Sequence, residues 1–195
     1  MDPPVSRRDS HFPRPAQPAR VEFAVLGGPD DGPTLDLDHE RFAYAGKFVV
    51  SGTGKAVVRD DGELVAAASY DRDRTDERVV RVRYVTVRAD RRGEGIGARL
   101  LAALAEHVLA DARRVLIAVN NGFAYEAAYK AGFAYTGEQT GMAELVLARP
   151  GKGSAATYRR GVEALRSRES VGATERAFLD GRTDPPAPVE PVTGA

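Results

Sequence analysis

Arg91-Arg92-Gly93-Glu94-Gly95-Ile96-Gly97 stands between a β-branched run, Val79–Val87 (VVRVRYVTV), and a helix-periodic run over residues 97–111 (GARLLAALAEHVLAD). The first run alternates in the manner of a strand. In the second, Leu100, Leu101, Leu104, Val108 and Leu109 fall on one stripe at helical spacing. The stretch between them is therefore a strand-to-helix turn with glycines at alternate positions. Glycine lets a backbone approach a ligand closely because no Cβ intervenes. The helix that follows leaves its first N–H groups unpaired, and these, with the positive end of the helix dipole, make an anion site. Arg91 and Arg92 add full charges, so a phosphate or pyrophosphate is the natural guest.

Three familiar phosphate loops do not fit. A P-loop needs Lys-Ser/Thr after its last glycine, and Gly97 is followed by Ala98-Arg99. A dinucleotide fingerprint needs a third glycine where Leu100 stands. The kinase glycine loop does not run straight into a helix.

Outward from the turn, a hairpin is expected where residues 55–59 and 63–70 flank Asp60-Asp61-Gly62. Val21–Leu26 reads as a first strand, and Asp38 could cap a short helix through Tyr44. Downstream, residues 115–119 read as a buried strand, 123–131 as a helix ended by Gly132, and 133–136 and 143–148 as closing strands. Runs of adjacent strands imply antiparallel pairing, while the strand–helix–strand from Val79 to Val119 implies a parallel crossover. The expected fold class is α/β in the α+β sense, a mixed and mostly antiparallel central sheet flanked by helices.

The domain reading is a tail over residues 1–20, a core over 21–149, a helical appendage over 150–181 capped by Ser154, and a second tail over 182–195. Both tails are rich in proline and poor in aliphatic residues, which predicts disorder. The 195 residues suit one domain, and 43% are hydrophobic. With 28 basic and 28 acidic side chains there is no nucleic-acid footprint. No cysteine is present, which removes disulfides, thiolate catalysis and zinc–thiolate sites. His11, His39 and His107 show no ligand spacing, so no metal is expected. No apolar run approaches the ~20 residues of a membrane span, and no signal peptide is visible. The expected location is cytoplasmic, and a homodimer stays open.

The Arg-x-x-Gly-x-Gly pattern of Arg92, Gly95 and Gly97, after a strand and before an amphipathic helix, resembles motif A of the GNAT N-acetyltransferase superfamily. Asn120-Asn121-Gly122-Phe123-Ala124 and the exit Gly132-Phe133 resemble its motif B. The resemblance covers residues 21–149 and implies the acyl-CoA N-acyltransferase fold. It implies an N-acetyltransferase that passes acetyl from acetyl-CoA to a primary amine by direct attack, with a non-catalytic acyl-CoA-binding regulatory module as the alternative.

It also implies site residues. The pyrophosphate would lie on Arg91, Arg92, Gly93, Gly95, Ile96 and Gly97, with Asn121 and Ala124 contributing from motif B. Val85 and Val87 would pair through their backbone with the pantetheine arm, where this strand splays from the next, and an N–H near Val85 would meet the oxyanion. Relatives place an acid tyrosine four residues after the motif-B alanine, a position held here by Ala128. Tyr129 lies one residue on, about 100° around the helix, and Tyr125 about 60° away in projection. Either tyrosine or neither could act. The strand carries no carboxylate, and Glu63 and Glu77 lie nearby in sequence. Arg81 and Arg83 are read as facing one side, either toward an acceptor carboxylate or as a solvated charged face. Phe42, Tyr44 and Phe48 are read as acceptor pocket or plain core.

Overall fold

A hairpin anchors the sheet. In the computed structural model, which describes residues 21–194, strands β2 (Gly54–Asp60) and β3 (Glu63–Arg72) pair antiparallel around the Asp61-Gly62 turn, both of whose residues have positive φ. Strand β1 (Val21–Leu26) pairs with β2, and β4 (Val79–Val87) pairs with β3. Helix α1 (Ile96–Val108) then crosses to β5 (Arg114–Val119), which runs parallel to β4. Helix α2 (Gly122–Lys130) leads into β6 (Ala134–Gln139) and β7 (Leu145–Arg149), and helices α3 (Ala155–Arg166) and α4 (Ala173–Asp180) follow. The seven strands lie in the order β1-β2-β3-β4-β5-β7-β6. Among the pairings of these seven strands, only β4–β5 is parallel.

The two sheet faces bury separate clusters. One gathers Val80, Val82, Val115, Ile117 and Leu147 with the α1 leucines and with Tyr125 and Tyr129 of α2. The other packs Leu37, Phe42, Ala45 and Phe48 on Val57 and Ala67. Alanines at 98, 102, 103 and 105 bury α1 on nearly every side, beyond the leucine stripe that the periodicity predicts.

Three expectations change. No helix forms over 38–44. The Asp38 carboxylate accepts the Glu40 N–H at 2.9 Å, and the chain turns there before a short 3-10 segment at Ala45–Lys47. An aspartate that bonds the backbone two residues on stabilises a turn in place of a helix. Residues 150–181 are not an appendage: Tyr158, Val162, Leu165 and Leu179 belong to the same cluster as the sheet and α1. Nor is 182–194 a free tail. Val189 N–H donates to Lys130 O at 2.8 Å, Val192 is 3% exposed, and Phe23 N–H donates to Thr193 O at 3.1 Å beside β1. A few apolar residues at the right points hold a proline-rich segment whose composition alone implies disorder. The expected tail over residues 1–20 lies outside the described residues. No helix among the described residues is long and apolar enough to cross a membrane.

Candidate functional site

Strand β4 stays with β5 for only part of its length. Val79–Val82 pair with Arg114–Ile117, and from Arg83 onward β4 has no strand partner on that side among the described residues. Strand β5 continues against β7, where Ala118 and Val119 face Val146 and Leu145. The sheet therefore opens between β4 and β5, and one edge of the Arg83–Val87 backbone is left unpaired.

At the start of that opening β4 carries a bulge. Tyr70 faces Val82 and Ser69 faces Tyr84, so Arg83 is the extra residue. A bulge shifts the two-residue alternation by one. Before it, Val80 and Val82 pack toward α1. After it, Val85 and Val87 do so, while Tyr84 packs toward the second cluster. Arg81 precedes this point and Arg83 occupies it; Arg81 is taken by Asp73 of the β3–β4 connection and Arg83 by Asp71 near the end of β3. Arg81 Nε donates to Asp73, and Arg83 Nε to Asp71 at 2.7 Å. The Asp73 carboxyl is held well below the usual carboxylate range, first by the hydroxyl and N–H of Thr75 and then by Arg81.

After Val87 the chain makes a 3-10 turn at Ala89–Arg91 and enters the glycine segment. Gly93 and Gly95 take φ of 85° and 78°, the left-handed region that suits glycine. A Cβ at either would meet nothing within 4 Å among the described residues beyond its chain neighbours, so these positions face open space. Gly97 differs, since its Cβ would lie 3.2 Å from a Val87 methyl, and the missing side chain lets α1 sit close on β4. Gly95 is the N-cap of α1, no side chain caps that end, and the first turn has no acidic residue. The N-terminal N–H groups and the helix dipole therefore stay available to an anion. Ile96 turns inward and is buried.

The two arginines of the turn do different jobs. Arg91 donates to Asp60 at 2.8 Å and to Glu94 at 2.9 Å, which pins the turn to the end of β2. Its charge is therefore committed within the protein. Arg92 is exposed, its Nε donates weakly to Val87 O at 3.3 Å, and it enters no ion pair among the described residues. Arg92 is the cation left for a guest. The preceding Arg88 is buried between Glu63 and Asp90, which makes Glu63 an ion-pair partner in this arrangement.

At the start of α2, Asn121 is the N-cap and its side chain accepts the Ala124 N–H at 2.8 Å. Gly122 N–H is taken by the Glu175 carboxylate of α4 at 2.7 Å. The expected motif-B contacts are thus engaged inside the protein. Helix α4 sits close here: a Cβ on Gly122 would lie 2.7 Å from Leu179, and the Phe123 and Phe178 rings are 4.6 Å apart.

Both candidate tyrosines lie under α3. Tyr125 is 1% exposed and its hydroxyl donates to Tyr158 O at 3.0 Å. Burial, then the neighbouring Tyr129, push its pKa well up. The Tyr129 hydroxyl accepts the Tyr135 N–H at 3.1 Å. Beside them, Tyr158 donates to the buried Glu126 at 2.7 Å. Both hydroxyls are thus engaged inside the protein, Tyr125 at α3 and Tyr129 at β6. Of the three aromatics expected near an acceptor, Phe42 and Phe48 are core and Tyr44 is exposed.

The cradle fits an extended ligand that carries a pyrophosphate. It offers uncapped N–H groups, a free arginine, open space over two left-handed glycines, and a neighbouring strand edge able to pair with amides. Sequence reasoning missed the Arg83 bulge, the Glu175 cap and the surroundings of Tyr84. The bulge has no local signal, because Arg83 alternates as an ordinary strand residue would. Glu175 and Tyr84 gain their partners only through tertiary packing.

Among solved structures, an acetyltransferase from Thermus thermophilus aligns at 20% identity and TM-score 0.43, over 50% of this chain and 63% of its own. YncA from Salmonella typhimurium, solved with acetyl-CoA, aligns at 16% and 0.43 over 50% and 64%. An N-acetyltransferase from Thermoplasma acidophilum, in complex with coenzyme A, aligns at 14% and 0.42 over 48% and 58%. In these three the alignment spans less than two thirds of the solved chain. No curated protein sequence matches. The family model described as acetyltransferase (GNAT) family matches residues 25–133, from β1 through the exit of α2. With more than half its length covered by that match, the chain belongs to the GNAT acetyltransferase family.

Proposed function

We propose that the protein is an N-acetyltransferase that moves an acetyl group from acetyl-CoA to a primary amine by direct attack. One observation carries this reading: β4 parts from β5 immediately before a glycine turn that leads into an uncapped helix N-terminus. Acetyl-CoA supplies a thioester whose carbonyl an amine can attack. The N–H groups at the start of α1, with Arg92, hold the pyrophosphate. The free edge of β4 at Val85 and Val87 pairs with the amides of the pantetheine arm and sets the thioester in the opening. Holding the two reactants together supplies much of the rate. A β4 N–H beside Val85 faces the carbonyl oxygen as negative charge develops there. The C–N bond forms, the C–S bond breaks, the amine proton passes to water, and the departing thiolate takes a proton from solvent.

This reading gives neither tyrosine a proton to deliver. Thiol release from acetyl-CoA, measured with a panel of primary amines, tests it together with two variants. The wild type should release thiol only when an amine is present. Tyr125→Phe and Tyr129→Phe should each keep turnover within about twofold, where loss of a general acid would cost about 10²–10⁴-fold. Tyr125→Phe should lower stability by about 1 kcal/mol, because a buried carbonyl loses a donor. Acetyl-CoA binding with no amine acetylated would favour the non-catalytic module. A hundredfold loss in either tyrosine variant would restore that hydroxyl as the acid.

A further inference from the structure

The opening between β4 and β5 has two faces, and only one is shaped for the donor. Val85, Val87 and α1 lie on the donor face. An amine that reaches a carbonyl in the opening comes from the other face, and there the first β4 residue beyond the Arg83 bulge is Tyr84. Two groups stand over its ring. The Tyr44 ring lies 6.0 Å away, tilted by 38°, and the Lys47 ammonium lies 5.9 Å from the centroid. Tyr44 is 58% exposed and holds a left-handed backbone with φ 61°. That conformation is costly for a residue with a Cβ, and such strain collects where a side chain must be aimed.

Charges on this side are unequal. Arg81 and Arg83 are neutralised by Asp73 and Asp71. Lys47 is exposed and enters no ion pair among the described residues, so its ammonium beside Tyr84 can meet a ligand. An exposed aromatic face and an uncompensated ammonium, both beside Tyr84, select a flat apolar body that carries an anion.

We infer that the acceptor is a small primary amine on an aromatic skeleton with a carboxylate. Its ring lies against the exposed face of Tyr44, and its carboxylate meets Lys47 beside Tyr84. This rests on the acetyl-transfer reading above and names the substrate class for that same opening.

The test measures acetyl transfer to L-phenylalanine, phenethylamine and L-alanine by the wild type, Lys47→Gln and Tyr44→Gly, with acetyl-CoA affinity measured alongside. Tyr44→Gly relieves the left-handed backbone, so this variant keeps its fold. The wild type should favour L-phenylalanine over each of the others by about fivefold or more in kcat/KM, the scale of one ring contact or one exposed ion pair. Lys47→Gln should raise KM for L-phenylalanine by about fivefold, leaving phenethylamine and kcat unchanged. Tyr44→Gly should raise KM for both aromatic amines and leave L-alanine unchanged. Acetyl-CoA affinity should not move in either variant. Equal transfer to L-alanine, or unchanged KM values in both variants, overturns the inference. If acetyl-CoA binds and none of the three amines is acetylated, the acceptor class is overturned while the donor site stands. If acetyl-CoA does not bind, the transfer reading falls and the acceptor class falls with it.

Discussion

Gly161→Ala should destabilise the protein by about 2 kcal/mol, although the same change on an exposed helix would stabilise it by about 1 kcal/mol. Gly161 lies in α3 against Tyr125, and a Cβ there would overlap the hydroxyl end of the tyrosine, nearest its oxygen and 2.7 Å from Cε2. That ring cannot retreat freely. It stacks on Tyr158 at 5.6 Å, lies 5.0 Å from Tyr129, and its hydroxyl is held by Tyr158 O. Overpacking a filled interior costs about 1–3 kcal/mol, which outweighs the helix preference of alanine. The denaturant midpoint of Gly161→Ala measures this. A double variant, Gly161→Ala with Tyr125→Leu, should recover part of the loss, since residues in contact do not add. A stabilised Gly161→Ala would show that α3 does not press on α2.

Gly95→Val should weaken acetyl-CoA binding by about 100-fold and leave the protein folded. Among the described residues nothing beyond the chain neighbours meets a Cβ at this position, so the core is undisturbed. The cost arises from φ of 78°, which a β-branched residue resists by about 1–2 kcal/mol. The turn then shifts, or a methyl stands where phosphate must reach the N–H groups. Losing one or two charge-assisted hydrogen bonds, at about 1.5–3 kcal/mol each, gives a factor of this size. Calorimetric titration of the variant, shown to be folded by a cooperative melting transition, decides it. Unchanged affinity would move the pyrophosphate off this turn.

How much was legible follows the range of the forces involved. The glycine turn is read from seven consecutive residues because its requirements are local: positive φ at Gly93 and Gly95, and close packing at Gly97. The succession of strands and helices along the chain is legible from alternation, helical spacing and the Asp60-Asp61-Gly62 turn. The two arginines look alike in sequence, and only folding brings Asp60 to Arg91 and leaves Arg92 free. The tyrosines were placed by rotation about α2, which says nothing of α3 closing over them. Composition misjudged 182–194, since Val189 and Val192 hold a stretch in which prolines dominate. Arg83 reads as one more alternating residue, yet it shifts the register that turns Tyr84 away from α1.

Hydrogen exchange of the backbone amides, with and without saturating acetyl-CoA, tests most directly whether the donor lies on the opened strand and the α1 N-terminus. Protection should appear at Tyr84–Val87 and at residues 93–98, the two stretches that carry the unpaired amides of the opening and of the helix start. Protection confined to other elements, with these two stretches unchanged at saturation, would contradict the assignment of the site.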